Sequence, residues 1–193
     1  MDGEDKSSAA GGGTNRRPTT DNNGLRFTAD VLLMFQLKAV FSEQMEWRTS
    51  AERAREFLSD LRNFVELMPN VERISAEAGG VARWLIRAEV PVVGSIRQAF
   101  AVFQSINEAG RIEWSPVTGE RQNFLRYAAT FEPRGDVTRI RIEQRVELRR
   151  EHARQLHTLA GLAGQSRLSD ALQRGVADMM RTFLQRARAR LER

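Results

Sequence analysis

The 193-residue chain predicts an α+β domain in which a curved antiparallel β-sheet wraps around a long C-terminal α-helix. Three observations carry that expectation. Short runs of alternating apolar residues recur from residue 25 to residue 148. Two short helical patterns interrupt them once, directly after the first run. One long amphipathic pattern then closes the chain.

Residues 1–23 are rich in Gly, Ser, Thr and Asn, with Gly11-Gly12-Gly13 at the centre. They offer little to bury against the entropy of ordering, so a disordered N-terminal tail over 1–23 and a domain over 24–193 are expected. From Leu25, the residues Phe27, Ala29, Val31, Leu33, Phe35, Leu37, Ala39 and Phe41 fall on alternate positions, with Arg26, Thr28, Asp30, Gln36, Lys38 and Ser42 between them. A period of two puts each set on one face of a strand. Met45 and Trp47 keep the parity, so the strand is expected to run to about Thr49, with a turn or bulge near Ser42-Glu43. Glu43 is the one charged residue on its apolar face.

Ser50 suits a helix N-cap, with Glu52 in the first turn, where negative charge is favourable. Ala54, Phe57, Leu58 and Leu61 follow at helical spacing. A second helical turn through Phe64, Leu67 and Met68 stops at Pro69. About six strands come next. Val71–Ala78 ends at Gly79-Gly80, and Ala82, Trp84, Ile86 and Ala88 alternate up to Pro91 and Gly94. Ile96, Phe100, Val102 and Ile106 lead to Ala109-Gly110. Arg111–Ser115 carries Trp114. Leu125, Tyr127, Ala129 and Phe131 end at Pro133-Arg134-Gly135-Asp136. In the last strand Ile140, Ile142, Val146 and Leu148 oppose six charged residues from Arg139 to Arg149, which is the pattern of a sheet with one dry face; Gln144 is the exception on that face.

Residues 150–165 carry Gly161 and Gly164 and do not suit one continuous helix. From about Ser166, Leu168, Leu172, Val176, Met179, Met180, Phe183, Leu184, Ala187 and Leu191 make a broad apolar stripe. Gly175 sits in that stripe. A glycine inside a helix costs roughly 1 kcal/mol against alanine, so close packing or room for a ligand is expected there.

The patterns Phe41-Ser42-Glu43-Gln44-Met45, Ala51-Glu52-Arg53-Ala54 and Phe57-Leu58-Ser59-Asp60 resemble the first strand and helix opening of the START-like (SRPBCC, Bet v 1-like) superfamily, in its polyketide cyclase/dehydrase and lipid-transport branch. Asn63-Phe64 and Met68-Pro69-Asn70-Val71 resemble the passage from its second helix to its second strand. Arg111–Ser115, Phe131-Glu132-Pro133, Thr138 and Ile140 resemble its later strands. Asn123-Phe124-Leu125 departs from the small residue or glycine that often opens the strand before the late hairpin, and the residues before Phe41 extend beyond the usual first strand. The resemblance covers roughly 41–191 and implies the helix-grip fold, with a cavity between sheet and C-terminal helix.

Its implied function is binding or transport of a hydrophobic small molecule, whether lipid, isoprenoid or aromatic and polyketide-like. The inward-facing candidates are Met45, Trp47, Trp84, Ile86, Phe100, Leu125, Tyr127, Ile142, Met179 and Phe183, with Gln104 and Gln144 as polar groups that would orient a ligand. The same residues would also fill an ordinary core. The alternative is a cyclase or dehydratase using the same pocket, for which Tyr127, Gln104, Gln144 and Glu43 are the polar candidates. None of them pairs with a recognisable base, so no catalytic residue is assigned.

The chain has no cysteine and two histidines, His152 and His157, which are not at the i, i+4 spacing of helical metal ligands. No metal or cofactor is expected. The formal net charge of +5 rests almost wholly on arginine, since Lys6 and Lys38 are the lysines. Arginine suits carboxylates and phosphates, so an anionic membrane surface or an acidic protein partner is a further reading, with the chain as an arginine-rich adaptor. Interspersed acidic residues equally suit a solvated face. Arg181, Arg186, Arg188, Arg190 and Arg193 crowd the last helix without interleaved aromatics, which argues against nucleic acid. The longest apolar stretch, Val31–Phe41, falls short of the ~20 residues of a membrane span, and no signal-peptide region opens the chain. A cytoplasmic location is expected.

Overall fold

A computed structural model describes residues 35–90 and 93–193. The expected tail over 1–23, the alternating residues Leu25 to Leu33, and Pro91 lie outside the described residues. The elements are β1 (Phe35–Trp47), α1 (Ala51–Ser59), α2 (Leu61–Leu67), β2 (Val71–Ala76), β3 (Val81–Val90), β4 (Gly94–Glu108), β5 (Arg111–Pro116), β6 (Asn123–Arg134), β7 (Val137–Arg150), α3 (Ala160–Ala163) and α4 (Gln165–Leu191).

The seven strands form one antiparallel sheet in the order β1-β7-β6-β5-β4-β3-β2. Chain order is kept from β2 to β7, each strand lying antiparallel beside the one before it. Gly135-Asp136 joins Arg134 to Val137, with Gly135 at φ 63°, where a Cβ would be strained. Register shifts near Val71/Arg73 and at Gln104/Ile106 add the bulges that bend the sheet.

Alternation decides which face is buried. Phe35, Leu37, Ala39, Phe41 and Trp47 of β1, and Thr138, Ile140, Ile142, Gln144, Val146 and Leu148 of β7, are buried on the concave side. On the convex side two buried carboxylates are held by arginines. Glu113 accepts from Arg126 (2.7 Å), Arg111 (2.7 Å) and Ser115 (3.0 Å). Glu147 accepts from Arg149 (2.7 Å), Gln36 (3.0 Å) and Arg145.

The two short helices form where their spacing predicts. Ser50 caps α1 by accepting from the Arg53 N–H. Asp60 serves both helices, since its N–H bonds the Glu56 carbonyl and its side chain accepts from the Arg62 N–H at 2.9 Å. Asn63 ties α2 back to the Phe57 carbonyl. The pair therefore turns sharply and drives Phe64 into the concave interior, where it is fully buried.

α4 lies against the concave side and along the free edge of β1. Its Gln173 accepts from the Val40 N–H at 2.9 Å and donates to the Val40 carbonyl at 2.8 Å, while Gln165 donates to the Gln36 carbonyl at 3.0 Å. Among the described residues no strand pairs with that edge, and these amides take up part of its backbone. Leu168, Val176, Met179, Met180, Phe183, Leu184, Ala187 and Leu191 are its buried residues.

Three local expectations change. β1 shows no turn or bulge near Ser42-Glu43: its register with β7 is regular from Phe35↔Arg150 to Trp47↔Thr138. Glu43 is accommodated because it sits opposite α4, 4.0 Å from Arg181. β2 ends at Ala76, and a short 3-10 turn occupies Ala78–Gly80. β6 continues through Pro133 to Arg134; its pairing with β5 ends at Thr130, so the absent N–H breaks no ladder on that side. The connector after β7 resolves into a turn at Ala153–Gln155, the four-residue α3, and Gly164 at φ 77°, after which α4 begins.

Candidate functional site

The concave interior is divided by one aromatic cluster. Phe64 from α2 stacks on Phe183 of α4 (centroids 4.6 Å apart, planes 18° from parallel) and meets Trp84 of β3 and Tyr127 of β6 edge-on at 5.1 and 5.3 Å. These four side chains fill the middle of the grip, each 2% exposed or less.

A cavity of about 160 Å³ remains on one side of them. α4 contributes Leu168, Ala171, Leu172, Gly175, Val176 and Met179 to its wall. The sheet contributes Leu37, Ile86, Ala88, Ile96, Gln98, Phe100, Val146 and Leu148, and Leu156 closes it from the connector. Asn70, Arg87 and Glu89 form a polar rim; Arg87 faces Glu89 at 3.4 Å and Glu72 at 3.8 Å. Asn70 holds the rim in place: its backbone turns at φ 67°, and its carbonyl accepts from the Arg87 N–H at 2.8 Å. A cavity near 150 Å³ lined by aliphatic and aromatic carbons accepts a benzene-sized molecule, whereas pockets for drug-sized ligands run to ~300 Å³ and above.

Gly175 is exposed on α4 and lies among the residues at the edge of this space. A Cβ built on it meets nothing within 4 Å, so the glycine does not serve close packing.

Of the twelve residues expected at a ligand site, Ile86, Phe100 and Met179 line the cavity. Trp84, Tyr127 and Phe183 belong to the aromatic cluster. Leu125 and Ile142 are buried in the sheet face, Trp47 is fully buried at the end of β1, and Met45 is half-buried two residues before it. Gln104, Tyr127 and Gln144 fall in one cross-strand row, in register through Trp114: Gln104↔Trp114, Trp114↔Tyr127, Tyr127↔Gln144. The Tyr127 hydroxyl, Gln104 Nε2, Trp114 Nε1 and Trp84 Nε1 are buried without a protein partner among the described residues. Burial pushes the Tyr127 hydroxyl above its ordinary value, so it stays protonated and acts only as a hydroxyl.

The wall residues not anticipated from sequence had a readable signal. Gln98 falls on the same parity as Ile96, Phe100 and Val102, and Leu148 on that of Ile140 and Ile142. Which end of the sheet stays open could not be read, because it depends on where Phe64 is delivered.

Among the described residues no group of three or more His, Asp or Glu side chains could hold a metal ion, and no helix is long and apolar enough to cross a membrane. Of the five arginines that crowd the end of the chain, Arg181, Arg186, Arg188, Arg190 and Arg193, four are engaged within it: Arg181 with Asp178 and Glu43, Arg186 with the Leu67 carbonyl, Arg188 with Glu192 and Arg190 with Glu66.

An open antiparallel sheet gripping a C-terminal helix, with two short helices after the first strand, is the START-like helix-grip fold. The chain is similar to several solved structures of that kind. The di-domain ARO/CYC StfQ from the steffimycin biosynthetic pathway matches at 13% identity and a TM-score of 0.56, over 81% of this chain and 51% of that one. This chain thus spans about half the length of the di-domain protein. The Zhui aromatase/cyclase from Streptomyces sp. R1128 matches at 13% identity and a TM-score of 0.52, over 78% of this chain and 93% of that one. The protein TTHA0849 from Thermus thermophilus matches at 18% identity and a TM-score of 0.51, over 78% of this chain and 97% of that one. At these identities the likeness is one of fold. No family model matches the sequence, and no curated protein matches it.

Proposed function

We propose that the protein binds a hydrophobic small molecule between the sheet and α4 and releases it elsewhere, as a carrier. The observation that supports this most directly is the apolar cavity between α4 and the sheet. Gly175, exposed at its edge, leaves the approach to it free of a side chain, at a helix cost of about 1 kcal/mol. The cavity's polar wall groups, the Asn70 and Gln98 amides and the rim pair Arg87–Glu89, orient a guest better than they exchange protons with one.

The reading concerns a small guest, or the end of a longer one. A thermal-shift and native mass-spectrometry panel of toluene-sized aromatics and short aliphatic chains tests it on the full chain. Binding by the wild type and its loss in Val176→Trp, which crowds the cavity from a buried wall position of α4, is expected. Equal binding by both proteins, or no binding by a folded wild type, would reject the cavity as the site.

A further inference from the structure

Among the described residues, one buried charge makes no direct ion pair. Glu113 and Glu147 are each held by two arginines, but Arg150, 7% exposed at the end of β7, bonds only neutral oxygens. Its Nη2 donates to Gln98 Oε1 at 2.7 Å and to Asn123 Oδ1 at 2.8 Å. Its Nη1 donates to the carbonyls of Arg149 at 2.7 Å and Gln122 at 3.2 Å.

Three further groups bear on the local charge. Glu120 attracts Arg150 without touching it, its Oε1 accepting from the backbone N–H groups of Arg121, Gln122 and Asn123. At the rim, Glu89 and Glu72 both face Arg87. The sheet makes room for the arginine because β5 stops at Pro116. β4 and β6 then meet directly through Asn123 Nδ2 and the Ala99 carbonyl (2.9 Å), and Arg150 reaches across their ends.

Gln98 lines the cavity. Because its Oε1 is occupied by Arg150, the group it has left to offer is its amide NH₂, polarised by the cation behind it.

We infer that the guest is an apolar monocarboxylate, its hydrocarbon body against α4 and its carboxylate at Gln98, with Arg150 supplying the opposing charge. The inference rests on the carrier reading and names its ligand class. A carboxylate desolvated by such walls is rejected unless a donor and a positive charge await it, so the sign of the preference is diagnostic.

The test titrates the full chain with two matched pairs, hexanoate against 1-hexanol and benzoate against toluene, following the methyl resonances of Met179 and Leu172. The carboxylate of at least one pair should bind on the order of tenfold tighter than its neutral partner. The pair that shows the preference tells an aliphatic from an aromatic body. In Gln98→Leu and Arg150→Gln the preference should vanish while the neutral probe still binds, and Arg150→Lys should restore part of it. Should Arg150→Gln fail to fold, Gln98→Leu decides alone. Neutral probes binding as well as the acids in the wild type would overturn this inference and leave the carrier reading standing. If no probe moves the Met179 or Leu172 methyls of folded protein, the carrier reading fails and takes this one with it.

Discussion

Phe183 of α4 lies flat on Phe64 of α2, ring centroids 4.6 Å apart, in the packed part of the interior next to the cavity: Trp84, which meets Phe64 edge-on, pairs across the strands with the wall residue Phe100. Removing the Phe64 ring leaves Trp84, Tyr127 and Phe183 without their common neighbour. Phe64→Ala should cost roughly 3–5 kcal/mol in urea denaturation. It should also join the freed volume to the existing cavity, so the variant should bind larger aromatics than the wild type in the same thermal-shift panel. A variant that loses stability but keeps the wild-type size limit would show that the neighbouring rings collapse into the gap.

Gly175 gives the opposite sign. Its Cβ would meet nothing within 4 Å and its backbone is helical, so Gly175→Ala removes a helix-propensity penalty without a clash. The variant should be more stable by about 0.5–1 kcal/mol. Chemical denaturation of both proteins measures this directly; a loss of stability would mean that the helix needs the glycine for a reason other than space.

Much of this architecture was legible because sheet and helix announce themselves through different periods. The odd positions of β1 and the even positions of β7 gave their buried faces directly, and Ser50 marked the start of α1 through its hydroxyl. The fold resemblance rested on the order of those elements. The location of the cavity was not legible in the same way. Inward parity is shared by Trp84, which is packed solid, and Ile86, which faces open space. The difference is made by Phe64, which reaches the interior from a helix whose own pattern shows only that it is amphipathic. Gly175 was the exception, a missing side chain visible in the stripe itself. Arg150 was missed: it continues the buried parity of Val146 and Leu148, but a charge at the end of a strand is expected to turn outward, and it was left to the connector.

Of the two α4 amides at the edge of β1, Gln173 makes two of the three hydrogen bonds. Gln173 both accepts from and donates to Val40, occupying two backbone groups that would otherwise face solvent beside the 58% exposed Val40 side chain. Gln173→Ala should lower stability by about 1 kcal/mol. It should also raise self-association at high concentration, because an open edge with an apolar residue on it invites strand pairing. Light scattering against concentration checks the second effect separately from the first. Gln173→Asn, one methylene shorter, should behave like the alanine variant if reach is what matters.

Tyr127 carries a hydroxyl that is buried with no protein partner among the described residues. Leaving such a group unpaired is costly, so Tyr127→Phe should be at least as stable as the wild type, and up to about 1 kcal/mol more. Its ring contact with Phe64 at 5.3 Å is unchanged by the substitution. A clear loss of stability would point to an ordered water or a bound group satisfying the hydroxyl, and would move attention to the row formed with Gln104 and Gln144.

Acid should weaken the fold through Glu113. The Arg126 guanidinium bonded to its carboxylate, with Arg111 and Ser115 beside it, outweighs burial and lowers its pKa from the ordinary 4.5 to about 2. A carboxyl with a depressed folded-state value binds protons more readily when unfolded. Its contribution to stability is therefore fully present above about pH 4.5 and is lost as pH falls through that value toward 2. Glu147, also lowered, adds to the same slope: burial opposes the shift, but Arg149 and Arg145 overcome it. Urea midpoints measured between about pH 6 and pH 2 should decline steeply for the wild type. Glu113→Gln should start lower at the neutral end, because Arg126 and Arg111 lose their shared anion, and should decline less. Parallel curves for the two proteins would mean that the convex-face ion pairs form equally in the unfolded chain and contribute nothing to holding β5 against β6.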